Sequence, residues 1–235
     1  GVSTLSLLQE VRSEHTAVLE LDSWQCHGFG EVKMSPHIAV FTTFMDDHLV
    51  YYHNDLDAYF NDKAQIYLHQ TEQDILVIGP QVAPLALEKH QKQIHSRVII
   101  PEALSSDIHL SIPGEHNRYN ASLALAVSDA LGISKEIAIN TLTVFTGVEG
   151  RLQLVREVNG VRFVNDTNAT TPDATLAGLK ALSENKNVIL IMGGHDKGID
   201  MEKLTDAIPT YAKRVLLLVG SGTNRILPTL PDASV

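Results

Sequence analysis

The sequence has one cysteine, no long apolar run and few basic residues. Because Cys26 is alone, an intrachain disulfide is excluded, and a reducing, cytoplasmic setting is expected. No apolar run approaches the roughly 18 residues of a membrane-spanning helix, so membrane insertion is not expected. Lys and Arg number 18 against 28 Asp and Glu, giving a net charge of −10. This balance argues against a nucleic-acid backbone as a general partner.

A Gly-x-x-Gly-Lys-[Ser/Thr] phosphate loop is also missing from these residues. The chain starts at Gly1 in what reads like the middle of a fold, and residues 227–235 follow the beginning of a strand and a helix. We therefore expect a fragment of a longer protein that is inactive by itself. The 235 residues, 44% of them hydrophobic, are enough for two packed domains.

Short apolar runs alternate with helical patterns along the chain, which predicts an α/β fold with mostly parallel sheets. Glycines in residues 146–150 suggest a hinge, so we place one domain at 1–147 and a second at 148–235. Asn159-Gly160 predicts a hairpin turn. The predicted strands are 16–21, 37–42, 74–80, 97–100, one within 101–112, 152–158, 161–164, 187–192 and 215–219. The predicted helices are 3–13, 54–69, 82–94, 121–131, 134–145 and 174–182.

The stretch 163–175, Phe-Val-Asn-Asp-Thr-Asn-Ala-Thr-Thr-Pro-Asp-Ala-Thr, lies between a strand and a helix. Thr171 or Asp173 can cap that helix, and Pro172 suits its first turn. Strand-to-helix turns of parallel sheets are common ligand sites, because backbone N–H groups there are free to meet an anion. An ordinary capped turn is the alternative interpretation.

Acidic residues follow two predicted strands. Glu20 ends the strand 16–21, where a carboxylate is well placed to hold Mg²⁺ or is simply an acid at a strand edge. Asp46-Asp47-His48 follows the strand 37–42, a composition typical of a metal or phosphate site or of an acidic turn. Lys63 lies four residues after Tyr59, on the mostly inward face of a helix, although such lysines usually extend to the surface.

Three further positions carry polar groups suited to ligands. Asn117 and Asn120 lie on one helix face and can pair with a purine edge, while capping is the alternative for Asn117. Lys197, in the turn Gly193-Gly194-His195-Asp196-Lys197, can hold a carboxylate or a phosphate, or be an exposed turn lysine. For Arg151, at the hinge, the local sequence alone predicts only an exposed surface charge.

Together these motifs resemble those of the Mur ligases. Asn165-Asp166-x-x-Ala169-Thr170 is similar to the family's Asn-Asp-Ser-Lys-Ala-Thr-Asn, most closely in ligases that add D-glutamate to UDP-MurNAc-L-alanine. The runs that begin at Glu20, Asp47 and Gly114 (Gly-x-His-Asn-x-x-Asn) match other family motifs, in the family's order. The resemblance implies the middle and C-terminal parts of a cytoplasmic ATP-dependent ligase, expected to be monomeric.

The resemblance also implies roles for single residues. Glu20, His48 and an N-carbamylated Lys63 would hold Mg²⁺, and Asp22 and Ser23 follow as substrate-binding candidates. Asn120, with Asn117, would meet the adenine of ATP. Arg151 would reach the γ-phosphate with Asp166 ordering the nucleotide, and Thr170 and Lys197 would lie near D-glutamate.

Several positions depart from the family pattern. Asn168 replaces a lysine tied to D-glutamate, Thr43 replaces an asparagine, Val50 replaces an aspartate, and Asp22 replaces a serine. Two alternatives therefore stay open. The parent protein is either a related ligase with another acceptor amino acid or a non-catalytic interaction protein on a ligase scaffold.

Overall fold

The computed structural model describes Ser6 and residues 10–230. The helices in chain order are α1 (Ser23–Glu31), α2 (Leu56–Leu68), α3 (Ala83–His90), α4 (Glu115–Ala130), α5 (Lys135–Val144), α6 (Pro172–Leu182), α7 (Glu202–Tyr211) and α8 (Ser221–Ile226). The strands are β1 (Ile38–Phe41), β2 (Ile75–Ile78), β3 (Arg97–Ile99), β4 (Gln153–Val158), β5 (Val161–Asn165), β6 (Val188–Gly193) and β7 (Ala212–Leu218). None of the helices in this described part is long and apolar enough to cross a membrane.

The first half is a three-layer α/β unit. Strands β1, β2 and β3 form a parallel sheet in that order. One face packs on α2 and α3 through a cluster that includes Phe60, Tyr67 and Ala86, each fully buried. The other face packs on α4 through Leu123. Every residue of β2 is buried because both faces of this central strand are covered.

The second half joins a hairpin to a smaller parallel pair. Strands β4 and β5 are antiparallel around Asn159 and Gly160, whose φ angles are 50° and 77°. Both central residues of the favoured two-residue hairpin turn have positive φ, so the Asn-Gly prediction is confirmed. Strands β6 and β7 are parallel, and α6, α7 and α8 pack on them through a cluster around Leu179, Leu204 and Leu217. The α/β class with mostly parallel sheets is confirmed.

The strand predicted over residues 16–21 is wrong. Those residues have no regular structure, and residues 15–20 are exposed. A strand is stable only when its backbone groups pair with a neighbour, and within residues 10–230 none pairs with this segment. Strand propensity reports how well a side chain fits a pleated surface and does not supply that partner.

Two other predictions differ from the structure. The helix predicted over 3–13 lies largely outside the described residues, and residues 10–13 are not helical. No strand forms within residues 101–112. Instead, the Arg118 guanidinium donates to the carbonyls of Leu104, Ser105 and Ile108, so this loop is bound to α4 by a side chain. Helices α1 and α7 were not predicted.

Acid is expected to destabilise this fold through His90. His90 Nδ1 lies 2.7 Å from the buried Tyr67 hydroxyl, and burial, with the nearby Lys89 charge, lowers the pKa of His90 below 6.5. Since the unfolded chain then binds a proton that the native state does not, unfolding free energy falls as pH drops below about 6.5. In urea titrations, His90→Gln should flatten this dependence by up to about 1.4 kcal/mol per pH unit. The exposed control His95→Gln should not, and equal slopes would contradict the assignment.

Candidate active site

Three strand-to-helix loops meet at one cleft, and they come from both sides of the predicted hinge. Lys197 follows β6, and its ammonium donates to the hydroxyl of Thr170, which follows β5, at 3.3 Å. The same ammonium lies 3.8 Å from a carboxylate oxygen of Asp47, which follows β1. The carboxyl ends of strands are where ligands bind in α/β proteins, and here the loops that follow β1, β5 and β6 come from three separate sheets.

The loop after β1 is fixed by the neighbouring strand end. The Tyr119 hydroxyl donates to the Thr42 carbonyl at 2.8 Å. The Gln81 amide makes two bonds with the backbone of Phe44, accepting from its N–H at 2.9 Å and donating to its carbonyl at 2.8 Å. Gly79 permits this close approach, since a Cβ there would lie 1.9 Å from the Thr42 carbonyl oxygen. Sequence reasoning missed this arrangement, although glycine at a strand end is its signal.

Asp47 and His48 form a compact acid–imidazole pair. His48 has a φ of 56°, and its N–H donates to Asp47 Oδ1 at 2.8 Å. Its Nε2 lies 3.6 Å from Asp47 Oδ2. The imidazole contacts the edge of Trp24, with ring centroids 4.8 Å apart, and lies 6.1 Å from Tyr59. Aromatic rings therefore set the orientation of His48.

Lys63 and His48 both lie near the Tyr59 ring. Its Nζ is 5.1 Å from the Tyr59 ring centroid, and the side chain is half-buried on α2, on the inward face that its spacing predicts. Burial lowers the pKa of Lys63, and the nearby Cys26 and Asp47 oppose that shift. A lowered pKa favours the neutral amine, which is the form that reacts with electrophiles.

The predicted magnesium ligands do not assemble as they stand. Glu20 is exposed in the irregular segment before α1. Among the described residues, no three His, Cys, Asp or Glu side chains form a group that could hold a metal ion. Unmodified Lys63 adds a positive charge near Asp47. Mg²⁺ usually takes only one or two protein carboxylates, with water and phosphate oxygens completing its shell. The described residues do not fit a metal site built from protein ligands alone.

Asp22 and Ser23 begin α1. The Asp22 carboxylate accepts from Gln25 N–H at 2.8 Å, and the Gln25 amide accepts from Asp22 N–H at 2.9 Å, forming a capping box. Ser23 is 1% exposed and faces the interior. Substrate binding by these two residues stays a prediction, while helix capping accounts for Asp22.

Removal of that cap should weaken the fold modestly. We expect Asp22→Ala to lower the free energy of unfolding by about 1 kcal/mol, because the Gln25 N–H loses its acceptor. Asp22→Ser, which can still accept that bond, should restore most of the loss. Urea denaturation followed by circular dichroism measures both variants. Equal stability of wild type and Asp22→Ala would show that the capping box contributes nothing.

The predicted adenine contacts separate into two roles. The Asn117 amide donates to the Pro113 carbonyl at 2.7 Å, which secures the start of α4. Asn120 is exposed one turn further along α4. Gly114 is the N-cap of α4 and no side-chain cap bond is present, so the capping alternative for Asn117 is wrong. Asn120 presents its amide toward solvent.

Asp166 lies where the hinge, α4 and α6 come together. Its Oδ1 accepts from Leu152 N–H at 3.0 Å, and its Oδ2 packs against Gly178, 2.8 Å from where a Cβ would stand. Burial raises the pKa of Asp166, opposed by the Leu152 bond and by the charges of His116 and Arg151. Arg151 is exposed beside it. His116, whose pKa burial lowers, had no role in the sequence interpretation.

A pocket of about 410 Å³ opens between the loops that follow β5, β6 and β7. Thr170 and Lys197 line this pocket. Its other polar lining groups belong to Thr167, Thr171, Thr175, His195, Asp196, Thr223 and Arg225. A cleft of this size with an ammonium and several hydroxyls suits a small ligand that carries a carboxylate.

The loop that carries Lys197 is held at both ends. Gly222 N–H donates to the Gly194 carbonyl at 3.0 Å, and Asp196 N–H donates to the Ser221 hydroxyl at 2.9 Å. The Arg225 guanidinium pairs with Asp196 at 3.0 Å. Residues 220–222 therefore pack against this loop, and Arg225 is a positioning residue that the sequence interpretation missed.

The Asn168 side chain points toward the hinge. The Asn168 amide donates to the Glu149 carbonyl at 3.2 Å, and its N–H donates to the Gly150 carbonyl at 3.0 Å. Asn168 is not among the residues that line the pocket. The side chain at the position of the family's lysine thus contributes to the hinge.

The fold and the cleft define a class: an α/β protein whose candidate ligand site lies between loops that follow strands of two parallel sheets and of a hairpin. Two family models match the chain, the Mur ligase middle domain over residues 2–81 and the Mur ligase glutamate ligase domain over residues 150–229. The chain belongs to the Mur ligase family, as the motifs indicated.

The chain is similar to curated proteins named UDP-N-acetylmuramoylalanine–D-glutamate ligase. It is 34% identical to the one from Latilactobacillus sakei, over 100% of this chain and 55% of that protein. It is 33% identical to the one from Acetivibrio thermocellus, over 99% of this chain and 53% of that protein. The chain spans about half the length of the curated relatives it matches.

Solved structures share the fold. MurF from Acinetobacter baumannii matches with a TM-score of 0.71 and 20% identity, over 85% of this chain and 50% of that one. MurC from Thermotoga maritima matches with a TM-score of 0.63 and 19% identity, over 88% of this chain and 50% of that one. At these identities the likeness concerns architecture alone.

Proposed function

We propose that the parent protein is an ATP-dependent amide ligase that adds D-glutamate to UDP-MurNAc-L-alanine. The observation that carries this proposal is the convergence of Asp47, Thr170 and Lys197 on one cleft from opposite sides of the hinge. Similarity to ligases named for D-glutamate supports the choice of acceptor. The boundary between domains 1–147 and 148–235 belongs to the same proposal.

The reaction has two steps. An oxygen of the UDP-MurNAc-L-alanine carboxylate bonds to the γ-phosphorus of ATP, the bond to the bridging oxygen breaks, and ADP leaves. The amine of D-glutamate then attacks the acyl carbon and loses a proton, and inorganic phosphate leaves. Positioning and charge neutralisation supply most of the catalysis of phosphoryl transfer.

In this proposal the second half supplies the acceptor site. The Lys197 ammonium receives a carboxylate of D-glutamate, and the Thr170 hydroxyl adds a hydrogen bond. Arg225 keeps the loop of Lys197 in place through Asp196. An ammonium held in a partly desolvated cleft favours a carboxylate over neutral groups.

The nucleotide would lie along the hinge. Asn120 presents an exposed amide to the adenine, and the planar Arg151 guanidinium matches the oxygens of a phosphate. Asp166, fixed by Leu152, orders that segment. Closure over the site excludes water, which would otherwise hydrolyse the acyl phosphate. Binding of Mg²⁺ by Glu20, His48 and carbamylated Lys63 stays a prediction.

One observation favours a second candidate, a related ligase with another acceptor. Asn168 contacts the hinge and places no ammonium in the pocket, so the acceptor site has one lysine where the family pattern offers two. An acceptor with a single recognised carboxylate fits that site. The non-catalytic alternative rests on the missing phosphate loop and on Thr43, Val50 and Asn168.

Product analysis tests the proposal. The protein expressed from its complete reading frame is incubated with ATP, Mg²⁺, UDP-MurNAc-L-alanine and one amino acid at a time. We expect a product heavier by one glutamate residue with D-glutamate, and none when any one component is omitted. A product only with another amino acid would move the assignment to the second candidate. No product with any amino acid would favour the scaffold interpretation.

A further inference from the structure

The ion pair between Asp47 and Lys197 joins the two halves of the molecule at the acceptor cleft. The two charged atoms are 3.8 Å apart, and the side chains are 25% and 44% exposed. The ammonium also donates to the Thr170 hydroxyl. Lys197 is therefore already in contact with a carboxylate of the protein's own.

Both partners of this pair are held by their surroundings. Asp47 Oδ1 accepts from His48 N–H, and the loop before it is fixed through Gln81. On the other side, Asp196 and Arg225 fix the loop of Lys197. The pair thus joins two positioned loops across the cleft.

We propose that Asp47 competes with the acceptor's carboxylate for Lys197 and thereby sets the affinity for the acidic amino acid. This inference rests on the proposed function, in which Lys197 receives that carboxylate. Asp47 carries the same chemical group as the acceptor, so two carboxylates on one ammonium would repel each other. The acceptor replaces Asp47, whose second oxygen already lies 3.6 Å from the His48 imidazole.

The competition also affects selectivity. An amino acid without a side-chain carboxylate binds Lys197 more weakly. The ion pair between Asp47 and Lys197 therefore persists and disfavours binding of that amino acid. An acidic amino acid offers a second carboxylate that can replace Asp47. A carboxylate at position 47 thus increases the selectivity for acidic over neutral amino acids.

The test measures acetylation of Lys197 by limiting acetic anhydride in the 235-residue chain, read by peptide mass spectrometry. Asp47→Asn removes the charge while its amide oxygen can still accept from His48 N–H. Asp46→Asn is the matched control, because Asp46 is the exposed neighbouring acid. Without ligand, we expect Lys197 to be acetylated about two- to fivefold faster in Asp47→Asn than in the control, the range for a partly exposed pair. Equal rates would overturn the inference.

D-Glutamate is then titrated as a protecting ligand, with glycine as the neutral comparison. We expect half-protection of Lys197 at about two- to fivefold lower D-glutamate concentration in Asp47→Asn than in Asp46→Asn. Equal protection of both variants would overturn the competition and leave the acceptor site standing. Protection of neither variant would overturn the proposed acceptor site as well. Asp47→Ser, whose hydroxyl can also accept from His48, repeats the test if Asp47→Asn folds poorly.

Discussion

Replacement of Lys197 by methionine should lower kcat/KM for D-glutamate about ten- to hundredfold in the full-length protein. The ammonium is the charged donor of the cleft that contacts both Thr170 and Asp47, and methionine keeps the length of the side chain without the charge. A hydrogen bond to a charged group contributes about 1.5–3 kcal/mol, which corresponds to this range. Steady-state phosphate release at varied D-glutamate concentration measures the effect.

Lys203→Met is the matched control for that variant. Lys203 is exposed on α7, away from the lining of the pocket. We expect its kcat/KM to be unchanged, and both variants to unfold within about 0.5 kcal/mol of wild type. A Lys197→Met enzyme with full activity would remove Lys197 from the acceptor site.

Replacement of Gly79 by alanine should destabilise the protein and disturb the loop that carries Asp47 and His48. The added methyl group would lie 1.9 Å from the Thr42 carbonyl oxygen and 2.0 Å from the Tyr119 hydroxyl. Because one obstacle is backbone, a strand end has to move, and overpacking of this kind costs about 1–3 kcal/mol. Urea denaturation measures the loss of stability.

Gly28→Ala is the same chemical change at another site, and we expect it to raise the stability of the protein. Gly28 lies inside α1, and nothing stands within 4 Å of an added Cβ. We expect the free energy of unfolding to rise by about 0.5–1 kcal/mol, because alanine is favoured over glycine within a helix.

Trp24, the only tryptophan, contacts His48, so a change of its fluorescence should accompany Gly79→Ala. If both variants had equal stability, the crowding at Gly79 would be refuted.

Local patterns predicted the elements whose determinants are local. The spacing of apolar residues predicted α2, the cap residues and Pro172 predicted α6, and Asn159-Gly160 predicted the hairpin. Turn and cap chemistry depends on neighbouring residues. Thr171 caps α6 through the N–H of Ala174, as expected. The capping box at Asp22 is equally local, and the Asp-x-x-Gln spacing is its signal in the sequence.

Features that depend on distant partners were not predictable in the same way. The run 16–21 has strand-like residues, but a strand also requires a paired neighbour, which its own sequence does not encode. The ion pair of Asp196 with Arg225 of α8 and the bond from Asn168 to the hinge join segments that are distant in sequence. Sheet geometry placed Thr170 and Lys197 at strand ends correctly, whereas the contact with Asp47 required the arrangement of both halves.

Oxygen-isotope transfer tests the central claim most directly, namely that the parent protein activates a carboxylate with ATP and then forms an amide. UDP-MurNAc-L-alanine is labelled with ¹⁸O in its carboxylate and incubated with ATP, D-glutamate and the full-length protein. The account predicts that each molecule of released inorganic phosphate carries one ¹⁸O atom, since the carboxylate oxygen that attacked the γ-phosphorus leaves with the phosphate. Amide product accompanied by unlabelled phosphate would contradict the acyl-phosphate route.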